Sequence, residues 1–179
     1  QIDPFALMQN EDPDATQIAA LIFQDDVQAT HSGAAITDAN GDVIIEGKAG
    51  RGDDFMVGAG GAGTGLPEHV TDNVRNIWEK MCSVFESVRF EWCYDKTGTV
   101  WIVQFHTGQS ASLGNVIYPG EPLHFEIFEV GRGLEELRPL ADKAKHEGFG
   151  IVVKGNVGIT SHFGDILRRN QIPSRLERA

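Results

Sequence analysis

Cysteine is nearly missing from this chain, and basic charge is missing from its first quarter. Cys82 and Cys93 are the two cysteines among 179 residues. That excludes a disulfide framework and a cysteine-ligated zinc site. It fits two free thiols in a reducing compartment, with the cytoplasm as the expected location. The six histidines are scattered without H-x-H or H-x-x-x-H spacing, so no histidine pair points to zinc. No apolar run nears membrane-spanning length and no charged-then-apolar segment opens the chain, so no membrane association is expected. The chain opens on Gln1 rather than Met, which fits a processed or shortened polypeptide.

Charge excludes further classes. A formal net charge of -11 argues against a nucleic-acid partner, which needs a basic footprint. No Lys or Arg precedes Lys48, although Asp3, Glu11, Asp12, Asp14, Asp25, Asp26, Asp38, Asp42 and Glu46 all do. If this half binds a polyphosphate, the cations must come from metal or from another polypeptide segment.

What is present has ordinary globular composition, 41% hydrophobic and 23% charged, enough for one good core or two small ones. Residues 1–16 are acidic and turn-rich, and Ile18 to Phe23 is compact enough for a strand. Ser32–Thr37 and Asp42–Glu46 flank Asn40-Gly41, a hairpin signal whose two-residue closure pairs Ala39 with Asp42 and Ala35 with Glu46. Eight glycines between Gly47 and Gly65 lack the Lys-Ser/Thr ending of a phosphate-binding loop and read as a mobile connection. Thr71 or Asp72 then caps a helix whose core stripe is Val74, Ile77, Trp78, Met81, Phe85 and Val88.

A second hairpin runs from Arg89 to Asp95, turns at Lys96–Thr99, and returns from Val100 to Phe105. Alternation places Phe90, Trp92 and Tyr94 on one face and Glu91 and Cys93 on the other. With Thr97-Gly98 central in the turn, Glu91 lies directly across from Gln104. A carboxylate and an amide oxygen on one face make half of a magnesium site, or equally a solvated polar pair. Residues 107–121 are turn-forming and read as a linker. A strand over His124–Val130 and a helix carrying Leu134, Leu137, Leu140, Ala141 and Ala144 up to Gly148 lead to an apolar strand at Ile151–Val153.

After that strand comes Gly155-Asn156-Val157-Gly158-Ile159-Thr160-Ser161-His162-Phe163-Gly164-Asp165-Ile166-Leu167-Arg168, then Ile172-Pro173. The glycines suit a tight turn, and Thr160 or Ser161 can cap a helix with Phe163, Ile166 and Leu167 as its apolar face. His162 falls in the first helical turn, where orphan N–H groups and the helix dipole favour a negative group such as a phosphoryl. Spacing alone is met as well by a polar residue at an exposed helix end.

This run resembles the phosphohistidine signature of phosphoenolpyruvate-utilising enzymes, roughly G-G-x-T-S-H-x-A-I-x-A-R-x-x-x-I-P. Gly158, Thr160, Ser161, His162, Ile166, Arg168, Ile172 and Pro173 match; Gly164 and Asp165 interrupt its small and apolar positions. In place of the valine-rich strand that follows there, this chain has Ser174–Ala179. Phe90-Glu91-Trp92 and Trp101-Ile102-Val103-Gln104 are similar to the D-I-E-W and l-y-i-l-Q-x-R-P motifs closing the same family's nucleotide-binding ATP-grasp domain. Ile45-Glu46-Gly47 and Ser32-Gly33 resemble earlier strands of that domain. Arg89 stands where the family has Asp, and Phe105-His106-Thr107 stands where it has x-R-P.

The resemblance implies an α+β fold: an antiparallel-sheet C-terminal lobe of an ATP-grasp domain over 1–106, a linker over 107–121, and a short α/β phosphohistidine-like unit over 122–179. It implies a part of an ATP-dependent phosphotransferase in which His162 relays phosphate, carried by a swivelling domain. Glu91, Gln104 and, less directly, Glu46 would hold ATP and Mg2+, with Thr160, Ser161, Gly158 and Arg168 supporting His162. The partner implied is an N-terminal ATP-grasp lobe, in cis or trans, besides a small-molecule acceptor. The alternative from another class is a non-catalytic relative that binds a partner protein or metabolite.

Overall fold

The computed structural model describes residues 6, 9–10, 12–14, 26–52, 65–108, 110–111 and 114–177. The expected strand at Ile18–Phe23 and the middle of the glycine stretch lie outside the described residues. The chain is a mixed α+β structure built on two sheets.

The first sheet has the order β2-β1-β3-β4, all antiparallel, from β1 (Ala29–Asp38), β2 (Val43–Ala49), β3 (Val88–Asp95) and β4 (Val100–Thr107). Both hairpins close in the same way. Gly41 and Gly98 take positive φ, and each turn's leading aspartate accepts two backbone N–H bonds at Oδ1: Asp38 from Asn40 and Asp42, Asp95 from Thr97 and Thr99. Each loop therefore holds three residues, not the two expected, because a glycine in the left-handed region ends a tighter first turn.

The consequences differ. In the first hairpin the register moves by one, so Glu46 pairs with Ala34 and not with Ala35. A one-residue slip changes which face every side chain occupies. In the second, the shift persists to Trp92 opposite Ile102, and then Val103 is passed over. That bulge restores Glu91 opposite Gln104, the pairing expected from a different turn.

Helix α1 (Glu68–Cys82) covers one face of this sheet. Val70, Val74 and Trp78 pack there against Ala35, Val88, Phe90, Trp92 and Tyr94. The indole Nε1 of Trp78 donates to the buried Thr37 hydroxyl at 3.0 Å. The helix starts a turn earlier than Thr71, after Pro67, and ends before Phe85, which is half-exposed; Val88 already belongs to β3. Pro67 supplies a pre-set φ that suits a helix start without a side-chain cap.

Residues 107–121 are not a structureless linker: β5 (Ser110–Ala111) pairs with β1, and β6 (Val116–Tyr118) joins the second sheet. That sheet has the order β6-β9-β8-β7, with β7 (Phe125–Glu129), β8 (Gly150–Lys154) and β9 (Ser174–Glu177) mutually parallel. Helices α2 (Leu134–Glu147) and α3 (His162–Arg169) are the crossovers, as parallel neighbours require. Gly148, at φ +77, ends α2. The segment after Pro173 thus forms β9 with Ser174 and Leu176 buried, despite lacking the expected valines.

Candidate functional site

The two units meet across the other face of the first sheet. Residues directly opposite in paired strands share a face. The register therefore makes one row of Glu46, Ala34, Glu91 and Gln104, and a second of Ile44, Ile36, Arg89 and His106. Ile36 is buried in the core of the second unit, with Ile44 packed against that core. The rows lie under the loop between β8 and α3, at the carboxyl end of a parallel strand, where ligand sites in α/β units gather.

That loop is built by contacts to the sheet. The buried Glu46 carboxylate accepts the Thr160 backbone N–H at 2.9 Å and its hydroxyl at 2.7 Å. A Cβ on Gly158 would overlap the same carboxylate, so a side chain there would have to displace Glu46 from Thr160. Thr160 consequently serves the sheet, and Ser161 occupies the N-cap position of α3 without a side-chain cap bond. The Ser161 hydroxyl is buried with no hydrogen-bond partner among the described residues.

His162 opens α3 with its ring 38% exposed and Nδ1 3.5 Å from Asp165 Oδ2. Asp165 is the centre of the site. Its carboxylate meets Arg89 Nη2 at 2.6 Å and Arg168 Nη2 at 2.8 Å. Arg89, 1% exposed, also donates to the Thr160 carbonyl at 3.0 Å and lies 3.3 Å from Glu91 Oε1. Arg168 donates to the Ile159 carbonyl at 2.8 Å. Burial raises the Asp165 pKa, but the His162 bond and the two arginines outweigh it and hold the carboxyl below its ordinary value.

Two departures from the resembled pattern are thus one contact. Arg89 stands in place of an acid and Asp165 in place of an apolar residue, 76 positions apart, and they form a buried ion pair. Sequence reasoning passed over Asp165; the spacing of His162, Asp165 and Arg168 at i, i+3 and i+6 on one helix face was the available signal.

The predicted residues are brought together in part. His162 lies on the ridge between two clefts. One, of about 240 Å³, holds Gln104, Arg138, Asp165 and Arg169; the other, of about 320 Å³, holds Ser32, Glu91 and Cys93. Glu46 borders a different cleft, of about 720 Å³, with Asp38 and Asn115. No match is found among protein-family models, curated proteins or solved structures.

Among the described residues no group of three His, Cys, Asp or Glu side chains could hold a metal ion. Magnesium needs fewer protein ligands, since it keeps waters and takes phosphate oxygens. Glu91 and Gln104 fit that smaller demand as one carboxylate and one amide oxygen. Arg89 beside Glu91 weakens it, and Glu46 is engaged by Thr160.

Proposed function

We propose that this chain is the histidine-bearing part of an ATP-dependent phosphotransferase, with His162 as the phosphoryl carrier. The observation that supports the reading is the chain His162–Asp165–Arg89/Arg168. A carboxylate held ionised by two guanidiniums accepts the Nδ1–H, which fixes the tautomer and leaves the Nε2 lone pair as nucleophile. Nε2 would attack the phosphorus as the bond to the nucleotide's bridging oxygen breaks, and that oxygen leaves with the electron pair. Glu91 and Gln104 would hold the magnesium of the nucleotide, whose charge would stabilise the transferring group. The partner in this reading is a polypeptide lobe supplying the cationic phosphate contacts that the first 47 residues lack.

Transfer here would take place without a swivelling unit. Moving α3 off the sheet breaks the Arg89–Asp165 pair, both Glu46–Thr160 bonds and the burial of Ile36. The same anchoring favours the second reading, a rigid non-catalytic module binding a protein or metabolite.

Incubation of the chain together with the nucleotide-binding partner lobe that the reading requires, with γ- and β-labelled ATP, separates them. A phosphoramidate is labile to acid and stable to base, whereas an ester on Thr160 or Ser161 survives acid. Acid-labile label that disappears in His162→Ala is the expected result. No label, or label that survives the substitution, leaves the module reading.

A further inference from the structure

We infer that the cleft between α2 and α3 is a binding site for a phosphoryl oxyanion, with Arg138 and Arg169 as its donors. This rests on the carrier reading and adds to it the residues that would hold the group before or after transfer. Three side chains able to donate, Arg138 from α2, Arg169 from α3 and Gln104 from β4, line one cleft with His162. Leu134 and Ile166 complete its wall.

The pairing of these arginines carries the inference. In a chain with 26 acidic and 15 basic residues, a guanidinium finds a carboxylate easily. Arg89 and Arg168 do so, at 2.6 and 2.8 Å, and are buried. Among the described residues Arg169 forms no ion pair, and Arg138 has only Glu135 at 3.9 Å, a contact whose carboxylate is 92% exposed. The guanidinium forks are therefore free to take oxygens bidentately, the geometry that suits phosphate. Asp165 is no obstacle, because Arg89 and Arg168 already neutralise it. The site is thus graded: a closed ion cluster beneath His162, and uncommitted cations beside it.

Gln104 acquires a second meaning. Its register partner Glu91 lines the other cleft, so the amide stands between the oxyanion cleft and the carboxylate row. It can offer N–H to a phosphoryl oxygen or its carbonyl to a cation.

The probes are inorganic phosphate and a non-hydrolysable ATP analogue, added to the full chain and followed through the His162 ring resonances. Phosphate should shift those resonances saturably. Arg138→Ala/Arg169→Ala should weaken the apparent affinity by at least about tenfold, equivalent to about 1.4 kcal/mol. A charge-matched control, Arg51→Ala/Arg75→Ala, removes two cations elsewhere and should leave affinity within about twofold. Displacement of phosphate by the analogue assigns the site to a nucleotide's terminal phosphoryl; lack of displacement assigns it to free phosphate or a phosphorylated acceptor. An unshifted His162 ring, or equal weakening in the control, overturns the site. Because binding is read without transfer, the site stands or falls separately from covalent labelling of His162.

Discussion

Removing either partner of the Arg89–Asp165 pair should destabilise the fold, but unequally. Arg89→Met leaves Asp165 with Arg168 at 2.8 Å and leaves Glu91, whose side chain is 16% exposed, to water. The Thr160 carbonyl loses its donor. Breaking a buried pair costs about 3–5 kcal/mol, so a loss of about 3 kcal/mol is expected where one guanidinium remains. Asp165→Ala strands Arg168, 5% exposed, and leaves Arg89, 1% exposed, with Glu91 at 3.3 Å as its remaining carboxylate, and should cost about 5 kcal/mol. The double variant Arg89→Met/Asp165→Ala should cost less than the sum, because one stranded charge is gone. Urea unfolding at pH 7 with an unchanged m-value reads all three. Losses below about 1 kcal/mol would mean a solvated pair. A larger loss for Arg89→Met than for Asp165→Ala would refute the central place given to Asp165.

Asp165 also sets an acid limit. Its folded pKa lies below the ordinary value of 3.8, so its contribution is complete above about pH 4 and is lost as pH falls through the folded value. Asp165→Asn should flatten the stability profile below pH 4, measured by thermal melts across pH; an unchanged slope there counts against the ion cluster. At the loop, Thr160→Ala removes the hydroxyl that donates to a buried carboxylate and should cost about 1–3 kcal/mol. Ser161→Ala removes a hydroxyl with no partner among the described residues and should change stability by less than about 0.5 kcal/mol. Equal losses at the two positions would contradict the assignment of Glu46 to Thr160.

Much of the chain's local structure was legible in its residues. Period-two alternation marked Phe90, Trp92 and Tyr94 as one buried face, and period 3.6 marked the α1 stripe through Val74 and Trp78. Glycines and β-branched residues marked the loop into α3. These signals are short-range, so a few neighbouring side chains suffice to produce them.

What the sequence by itself determined ends at the faces of separate elements; only the tertiary structure decided which faces meet. Turn length set the side of the sheet that Glu46 occupies, and a bulge at Val103 kept Glu91 opposite Gln104. Strand pairing aligned Glu46, Glu91 and Gln104 in one row, and docking of α3 turned Arg89 and Asp165 from two separate oddities into one ion pair. Buried charges are tolerated only with partners, and those partners come from strands and helices far apart in the chain. No local pattern encodes that pairing, because its free energy exists only once both units have closed over it.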